Sequence, residues 1–536
     1  MGIPAKDPLA QQIRAAQFFM LRYETEFTPC TGITAVTRQE RRHFKGGVML
    51  APWCPNLKRQ KAEDDPLRNG SLRKTHWKFK VNGLDCRVLA STDAFEPLLF
   101  LTIEGRFNGA ATPYDLPLTE LKTDSFYFAL AVEELLKQIG SPQQFVWGGD
   151  WETVPALWLV HQRHRTALTL HNTFDECLAE ESEQFGGTFA AFAEKRGDSP
   201  FHKTALEIGL ETMDVITTVN RGFAWGMRHE PVQTRVMAQH LQHLLGRVTG
   251  INNAAFSPLN ESLKQLGELY RSDPSAGCRE LFERQAKARE ALPPEIREHL
   301  AEKVLVVSMG RRVAQKQHDL LVESTRLLLR KYPDLPLFVY FATTPGDPGS
   351  AARQQRINDL RAEFPRNVAF VDGRISDFAA LMQAADYNCM PSLYEPHGGA
   401  YEGTVVPIAR AVDGLAEQIC AWKPRGRARR MNRLWHERVE APTGLLFREG
   451  GLQSTAGRVR DLRALLSESP SPENGLFRAM RNELALILRR AVDLRLQAPE
   501  QYAALAMACL ARQQAGTWED NLHALLVLME DARHEL

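Results

Sequence analysis

Apolar and polar positions follow a repeating order along the second half of the chain. From about residue 300, KVLVVSMG, LPLFVYFAT, NVAFVDG and DYNCMPS are short apolar runs of the kind that form buried strands. Between them, HDLLVESTRLLLRKY, AARQQRINDLRAEF and DFAALMQAA carry apolar residues at helical spacing. Strands that alternate with helices predict a parallel sheet covered on both faces. Ligands of such sheets bind outside the carboxyl ends of the strands, where residues 309–312 and 391–399 fall.

The first half repeats this grammar less regularly. QQFVWGGDW, TALTLHN and DVITTVN are short apolar strands ending in polar or glycine residues, so a second parallel core is expected. HWKFKVNGLDCRVLA reads as an antiparallel hairpin turning at Asn82 and Gly83. RSDPSAGCRE and EALPPEIREHL, rich in charge, proline and helix formers, place a domain boundary near 270–300, and the tail beyond about 455 reads as helical.

Composition narrows the setting. With 536 residues, 44% hydrophobic and 24% charged, the chain is too long for one core and ordinary enough for two globular domains. Its 66 Lys and Arg nearly balance 65 Asp and Glu, which leaves no global field to recruit nucleic acid or an anionic membrane. The eight cysteines form no CxxC pair and no disulfide-dense pattern, as in a reducing compartment. No apolar run approaches the ~20 residues of a membrane span, and MGIPAKDPLAQQ lacks the apolar core of a signal peptide. The expectation is a cytoplasmic protein without nucleic-acid or membrane partners, its oligomeric state unspecified.

Candidate chemistry gathers at the strand ends. Gly398 and Gly399, read as the start of a helix, would offer bare backbone N–H groups to a phosphate; they equally suit a tight turn. Arg311 and Lys316, five residues apart across a loop-to-helix turn, can converge on the same anion, or stand solvated as Arg312 can. Glu395 and Glu402 flank the glycines. A carboxylate beside a phosphate seat is awkward unless it meets something neutral such as sugar hydroxyls, although either acid also fits a turn or cap. His171 ends a strand of the first half and is a ligand contact or a hydrogen-bonded core histidine; Asp150 is a site residue or a helix N-cap. The pairs His161/His164 and His240/His243 lack a third ligand nearby, so no metal is expected.

These residues fall into an ordered set of motifs. MPSLYEPHGG resembles the Pro-Ser…Glu-Pro-Cys-Gly donor loop of the glycogen/starch synthase family, and RRVAQKQHDLL resembles its Arg…Gln-Lys-Gly…Asp-Leu-Leu segment. GRVTGINNAAFSP, MDVITTVN, TLHN, GGDWETVPAL, DGLAEQI, TGLLF and TWEDNLHALL are similar to further family segments, in the right order. The resemblance implies an α/β GT-B fold of two Rossmann-like domains facing across a cleft, with C-terminal helices crossing back. It divides the chain into an acceptor-side domain at 1–290, a nucleotide-sugar-binding domain at 291–480 and returning helices at 481–536.

Carried over by position, the resemblance makes Glu395 the acid near the donor sugar and Arg311 with Lys316 the diphosphate clamp. Gly398 and Gly399 become backbone donors to the diphosphate, and His171 the residue that touches the sugar from the first domain. Tyr394, His397, Gly32, Thr31, Asp150 and Glu402 join the nucleotide-sugar-binding set. The implied enzyme is a retaining hexosyltransferase that needs no cofactor, moving glucose from ADP-glucose or UDP-glucose to an α-glucan or smaller saccharide. The alternative is a catalytically weak GT-B protein that binds glucan or sugar nucleotide in a regulatory role.

Several positions depart from the family pattern. The N-terminal Lys-Thr-Gly-Gly-Leu loop is reduced to EFTPCTGITAV, which keeps Thr31 and Gly32 but has no lysine. Trp147-Gly148-Gly149-Asp150-Trp151 stands for His-x-His-Asp-Trp, and His397 replaces the cysteine after Glu-Pro. The segment from Glu395 to Gly403 is several residues shorter than in bacterial glycogen synthases.

Overall fold

In the first of two sheets, β1 (Phe18–Leu21), β2 (Gly47–Pro52), β6 (Phe145–Gly149), β7 (Thr166–Leu170) and β8 (Val215–Thr218) are short and almost wholly buried, and they pair in parallel as their continuous apolar runs predict. The antiparallel ribbon β3 (Leu72–Val81) and β4 (Leu84–Ser91) joins through β5 (Leu98–Ile103), and β9 (Thr249–Gly250) closes the far edge, giving the order β3-β4-β5-β2-β1-β6-β7-β8-β9. Asn82 and Gly83 both take positive φ, 45° and 83°, as the two-residue hairpin turn requires. The computed structural model describes residues 7–28, 32–55, 65–108, 114, 116–193, 203–255, 259–300, 302–373, 378–395, 401–436, 441–449, 454–467 and 473–532.

The second sheet is all parallel, in the order β12-β11-β10-β13-β14-β15. Its strands are β10 (Val304–Arg312), β11 (Leu337–Pro345), β12 (Val368–Asp372), β13 (Tyr387–Met390), β14 (Val406–Arg410) and β15 (Leu445–Phe447). The strand order reverses between β10 and β13. That reversal opens a crevice at the carboxyl ends of the two strands, the usual ligand position of a doubly wound sheet. In the first sheet the corresponding reversal lies between β1 and β6.

The chain divides into two units that interleave in sequence. One holds Met1–Val219, Ala238–Phe256 and Thr517–Leu536; the other holds Asn220–Met237 and Ser257–Gly516. The expected boundaries near 290 and 481 therefore move. The helix Pro274–Glu290 turns Leu281, Gln285 and Ala288 into the second unit, where Gln285 donates to the Tyr502 hydroxyl at 3.1 Å and Arg289 Nε to the Ala384 carbonyl at 3.1 Å. Its charges mark a solvent face rather than a linker.

The helices Gly475–Gln497 and Pro499–Gln513 also stay with the second unit. Tyr387 and Tyr502, both fully buried, donate to the Ala491 and Asp386 carbonyls at 2.9 and 3.0 Å. Of the expected returning helices, Trp518–Asp531 alone joins the first unit. It starts at a Thr517/Asp520 capping box, sets Trp518 6.3 Å from the Phe44 ring, and donates the indole N–H to the Ala255 carbonyl at 3.0 Å. No helix among the described residues is long and apolar enough to cross a membrane.

Candidate active site

At the end of β10 the backbone sorts two neighbouring arginines into different roles. Gly310 has φ of 115°, a conformation that L side chains rarely adopt. Beyond it Arg311 is exposed while Arg312 is buried. Arg312 bonds the Thr343 carbonyl and hydroxyl at 3.2 and 3.0 Å, Asp372 at 2.8 Å and Gln354 at 3.1 Å. It fastens β10 to its neighbours, and Arg311 is left as the outward cation.

A 3-10 turn, Ala314–Lys316, then brings Lys316 Nζ within 2.5 Å of Glu395 Oε2. Gln317 follows at φ 51°, where the family motif has glycine, and its amide nitrogen holds the turn through the Ala314 carbonyl at 2.7 Å. The next residue, His318, is buried at the start of the helix His318–Lys331. Burial pushes its imidazole down from the ordinary 6.5 to about 4, and the hydrogen bond with the Met309 carbonyl offsets only part of that. The unfolded chain therefore binds this proton more tightly than the folded one. Stability is full above about pH 6.5 and is lost as pH falls toward about 4. Denaturant titrations should show about 2 kcal/mol less stability at about pH 5 than at about pH 7.5, a difference that His318→Gln removes. An unchanged pH slope in the variant would refute it.

Glu395 lies in the loop after β13, where three backbone and side-chain bonds fix its surroundings. Leu393 N–H donates to the Gln315 carbonyl at 2.8 Å, Gln315 Nε2 to the Tyr394 carbonyl at 3.0 Å, and Ser392 Oγ to Glu395 Oε2 at 3.0 Å. Glu395 is 8% exposed. Tyr394, expected among the nucleotide-sugar contacts, instead packs its ring in the hydrophobic core beside Leu393, in a loop whose residues 391–395 are all buried. Its burial pushes the phenol well above the ordinary range.

His397, Gly398 and Gly399 lie outside the described residues, as does Thr31. The described residues beyond the glycines, 401–405, form a turn that leads directly into β14, and no helix begins among them. Glu402 is half-exposed in this turn, and Gly403, at φ 66°, donates its N–H to Gln513 Oε1 at 2.8 Å.

Behind Glu395 is a buried charge cluster that nothing in the spacing of the sequence announces. Arg448 grips Glu230 with two bonds of 3.0 and 2.7 Å; Arg410, at the end of β14, and Arg427 reach Glu449 at 3.4 and 3.1 Å. Burial, reinforced by Arg448, pushes Arg410 down to about 9. Burial raises the Glu230 carboxyl, but Arg448 outweighs that and holds it below its ordinary range.

In the first unit, β6 ends at two glycines and an acid. A side chain at Gly148 would meet Thr153 Oγ1 at 2.3 Å, so the first glycine lets the helix Asp150–Val160 pack onto its own strand. Asp150 takes φ 58°, and its carboxylate accepts the His171 N–H at 2.7 Å and lies 3.1 Å from His171 Nδ1. With Nδ1–H donated to the carboxylate, Nε2 is the ring nitrogen left to a ligand. His171 lines a small cavity with Glu40, Trp147, Thr169 and Thr217.

Arg22, which follows β1 and which no sequence pattern singled out, is buried there. It stacks 4.1 Å from the Trp147 ring and forms a fork with Glu40 at 2.8 and 2.9 Å. Saturated in this way, it does not stand in for the family's absent lysine. Gly32 heads the helix Ile33–His43 with open space where a Cβ would be. Among the described residues no group of three or more His, Cys, Asp or Glu is placed to hold a metal ion.

Comparison with known proteins fits this arrangement. The family model described as the starch synthase catalytic domain matches residues 47–245. Glycogen synthase of Thermosipho melanesiensis is 26% identical over 350 residues, 60% of this chain and 67% of that protein. Glycogen synthase of Pelodictyon phaeoclathratiforme is 23% identical over 472 residues, covering 82% and 88% of the two chains. The catalytic domain of starch synthase IV from Arabidopsis thaliana, bound to ADP and acarbose, superposes with a TM-score of 0.64 at 15% identity over 96% of this chain and 99% of that one. An α,α-trehalose 6-phosphate synthase from Burkholderia multivorans gives 0.53 at 10% identity, covering 97% and 99%. With the two parallel sheets and the reversal points, the structural likeness shows a GT-B fold, and the sequence similarities liken the chain to the glycogen and starch synthases.

Proposed function

We propose that this glycosyltransferase is a retaining glucosyltransferase that moves glucose from ADP-glucose or UDP-glucose to an α-glucan or a smaller saccharide, in the cytoplasm. The observation that carries the reading is the Lys316–Glu395 pair at the β10/β13 reversal, with Arg311 exposed beside it. An ammonium has three donors, and Glu395 takes one of them. The other two, with Arg311, suit the diphosphate, whose departure gathers negative charge in the transition state.

Glu395, neutralised by the lysine, can sit beside a phosphate without repelling it and is placed to accept from sugar hydroxyls. Within the first unit, Asp150 fixes the His171 tautomer and leaves Nε2 to a ligand. No metal or organic cofactor has a step in this scheme; positioning and charge neutralisation do the chemistry. The starch synthase bound to ADP and acarbose supports a nucleotide-sugar donor and a saccharide acceptor. The regulatory alternative is not favoured by these relatives.

The test is release of ADP or UDP from the two glucose nucleotides, with and without malto-oligosaccharide. Release that rises with the saccharide, together with a product lengthened by glucose, is expected for one of the two donors. Binding of both ligands with no turnover from either donor would favour the regulatory protein.

A further inference from the structure

We infer that Asp413 is a positioning residue for Glu395: its carboxylate holds the Glu395 backbone, and thereby the acid, in place for sugar transfer. The inference rests on the donor-site reading proposed above. Asp413 Oδ2 accepts the Glu395 N–H at 3.1 Å, and the neighbouring Gly414 N–H donates to the Glu395 carbonyl at 3.2 Å. Residues 413 and 414 thus hold both backbone polar groups of the residue that carries the acid, its N–H and its carbonyl. Glu395 and Asp413 leave the ends of adjacent strands, β13 and β14, so this clasp ties the loop to the sheet.

Several features show that the carboxylate is held there at a cost. Asp413 is 1% exposed, and its backbone has φ of 42°, which a glycine would adopt without strain. The helix Arg221–His229 is notched to admit it. A Cβ at Gly226 would stand 1.9 Å from Asp413 Oδ1, and one at Gly222 would stand 2.4 Å from the Asp413 carbonyl oxygen. Oδ1 has no hydrogen-bond partner among the described residues, so its burial is not repaid by them. Burial and the nearby Glu230 push the carboxyl well up, which again marks an acid kept where solvation disfavours it. A residue that is strained, buried and half-satisfied, whose side chain among the described residues bonds to Glu395, is explained by what it holds.

The experiment compares Asp413→Gly, Asp413→Asn and Glu395→Gln in the full chain, reading kcat, donor KM and the thermal midpoint. Glycine fits the backbone but cannot accept from Glu395, so kcat should fall about ten-fold or more with donor KM within about three-fold and the midpoint not lowered. Asparagine tolerates positive φ and keeps an acceptor oxygen, so it should recover most of the activity that glycine loses.

If Asp413→Gly turns over at the wild-type rate while Glu395→Gln is slow, the positioning role is wrong and the donor-site reading stands. If Glu395→Gln is also at the wild-type rate, the donor-site reading fails and takes this inference with it. Asparagine as slow as glycine, or a glycine variant slow only because it melts early, would likewise overturn the role.

Discussion

Glu395→Gln should lower turnover by about 10² or more while leaving ADP or UDP affinity within a few-fold of wild type. Glutamine keeps the shape of the side chain and an oxygen to accept from Ser392, so the loop after β13 is preserved. What it loses is the charge beside the donor sugar, a group already in place before the reaction and so without reorganisation cost. It also releases Lys316, now held at 2.5 Å, to meet the diphosphate alone, which is why nucleotide affinity should not fall. Lys316→Ala is the counterpart: it removes a charge-assisted bond and leaves Glu395 unneutralised next to phosphate, so nucleotide affinity should drop about ten-fold or more. Steady-state product release and calorimetry on both variants separate the two roles. A Glu395→Gln enzyme working at the wild-type rate would reduce Glu395 to an acid in a turn.

The elements flanking this site were legible because they are long and regular. LPLFVYFAT and HDLLVESTRLLLRKY became β11 and the helix His318–Lys331, and Asn82-Gly83 became the hairpin turn, since local periodicity and turn chemistry decide such segments. The family motifs added the donor loop, which no periodicity marks.

What stayed hidden was set by distant partners. Helix Pro274–Glu290 looked like a linker because its apolar stripe is narrow, and only Tyr502 and Ala384 reveal the core it packs on. Tyr394 looked like a ligand contact because the motif does not say which way the ring turns. Asp150, Gln317 and Asp413 take positive φ without being glycine, so nothing in their spelling signalled the strain. Arg448 and Glu230 are 218 residues apart, a separation at which sequence patterning carries no information.

That last pair should produce the largest stability effect. Arg448→Ala leaves Glu230, 3% exposed, as a buried carboxylate stripped of its two-bond partner, and the expected loss is about 3–5 kcal/mol. The same change frees Glu449 from one of its arginines, but Arg410, Arg427 and Arg458 remain around that acid. The loss should therefore come chiefly from Glu230. Adding Glu230→Leu to an Arg448→Met background tests this attribution: with both charges gone, no ion is stranded, and most of the stability should return. Glu230 follows the helix Arg221–His229, whose glycines accommodate Asp413, so Arg448→Ala should also loosen the Glu395 loop and lower turnover at temperatures where the protein is still folded. Denaturant unfolding of the single and double variants decides the matter. A single variant within about 1 kcal/mol of wild type, or a double variant no better than the single, would show that the Glu230–Arg448 pair does not hold this segment in the second unit.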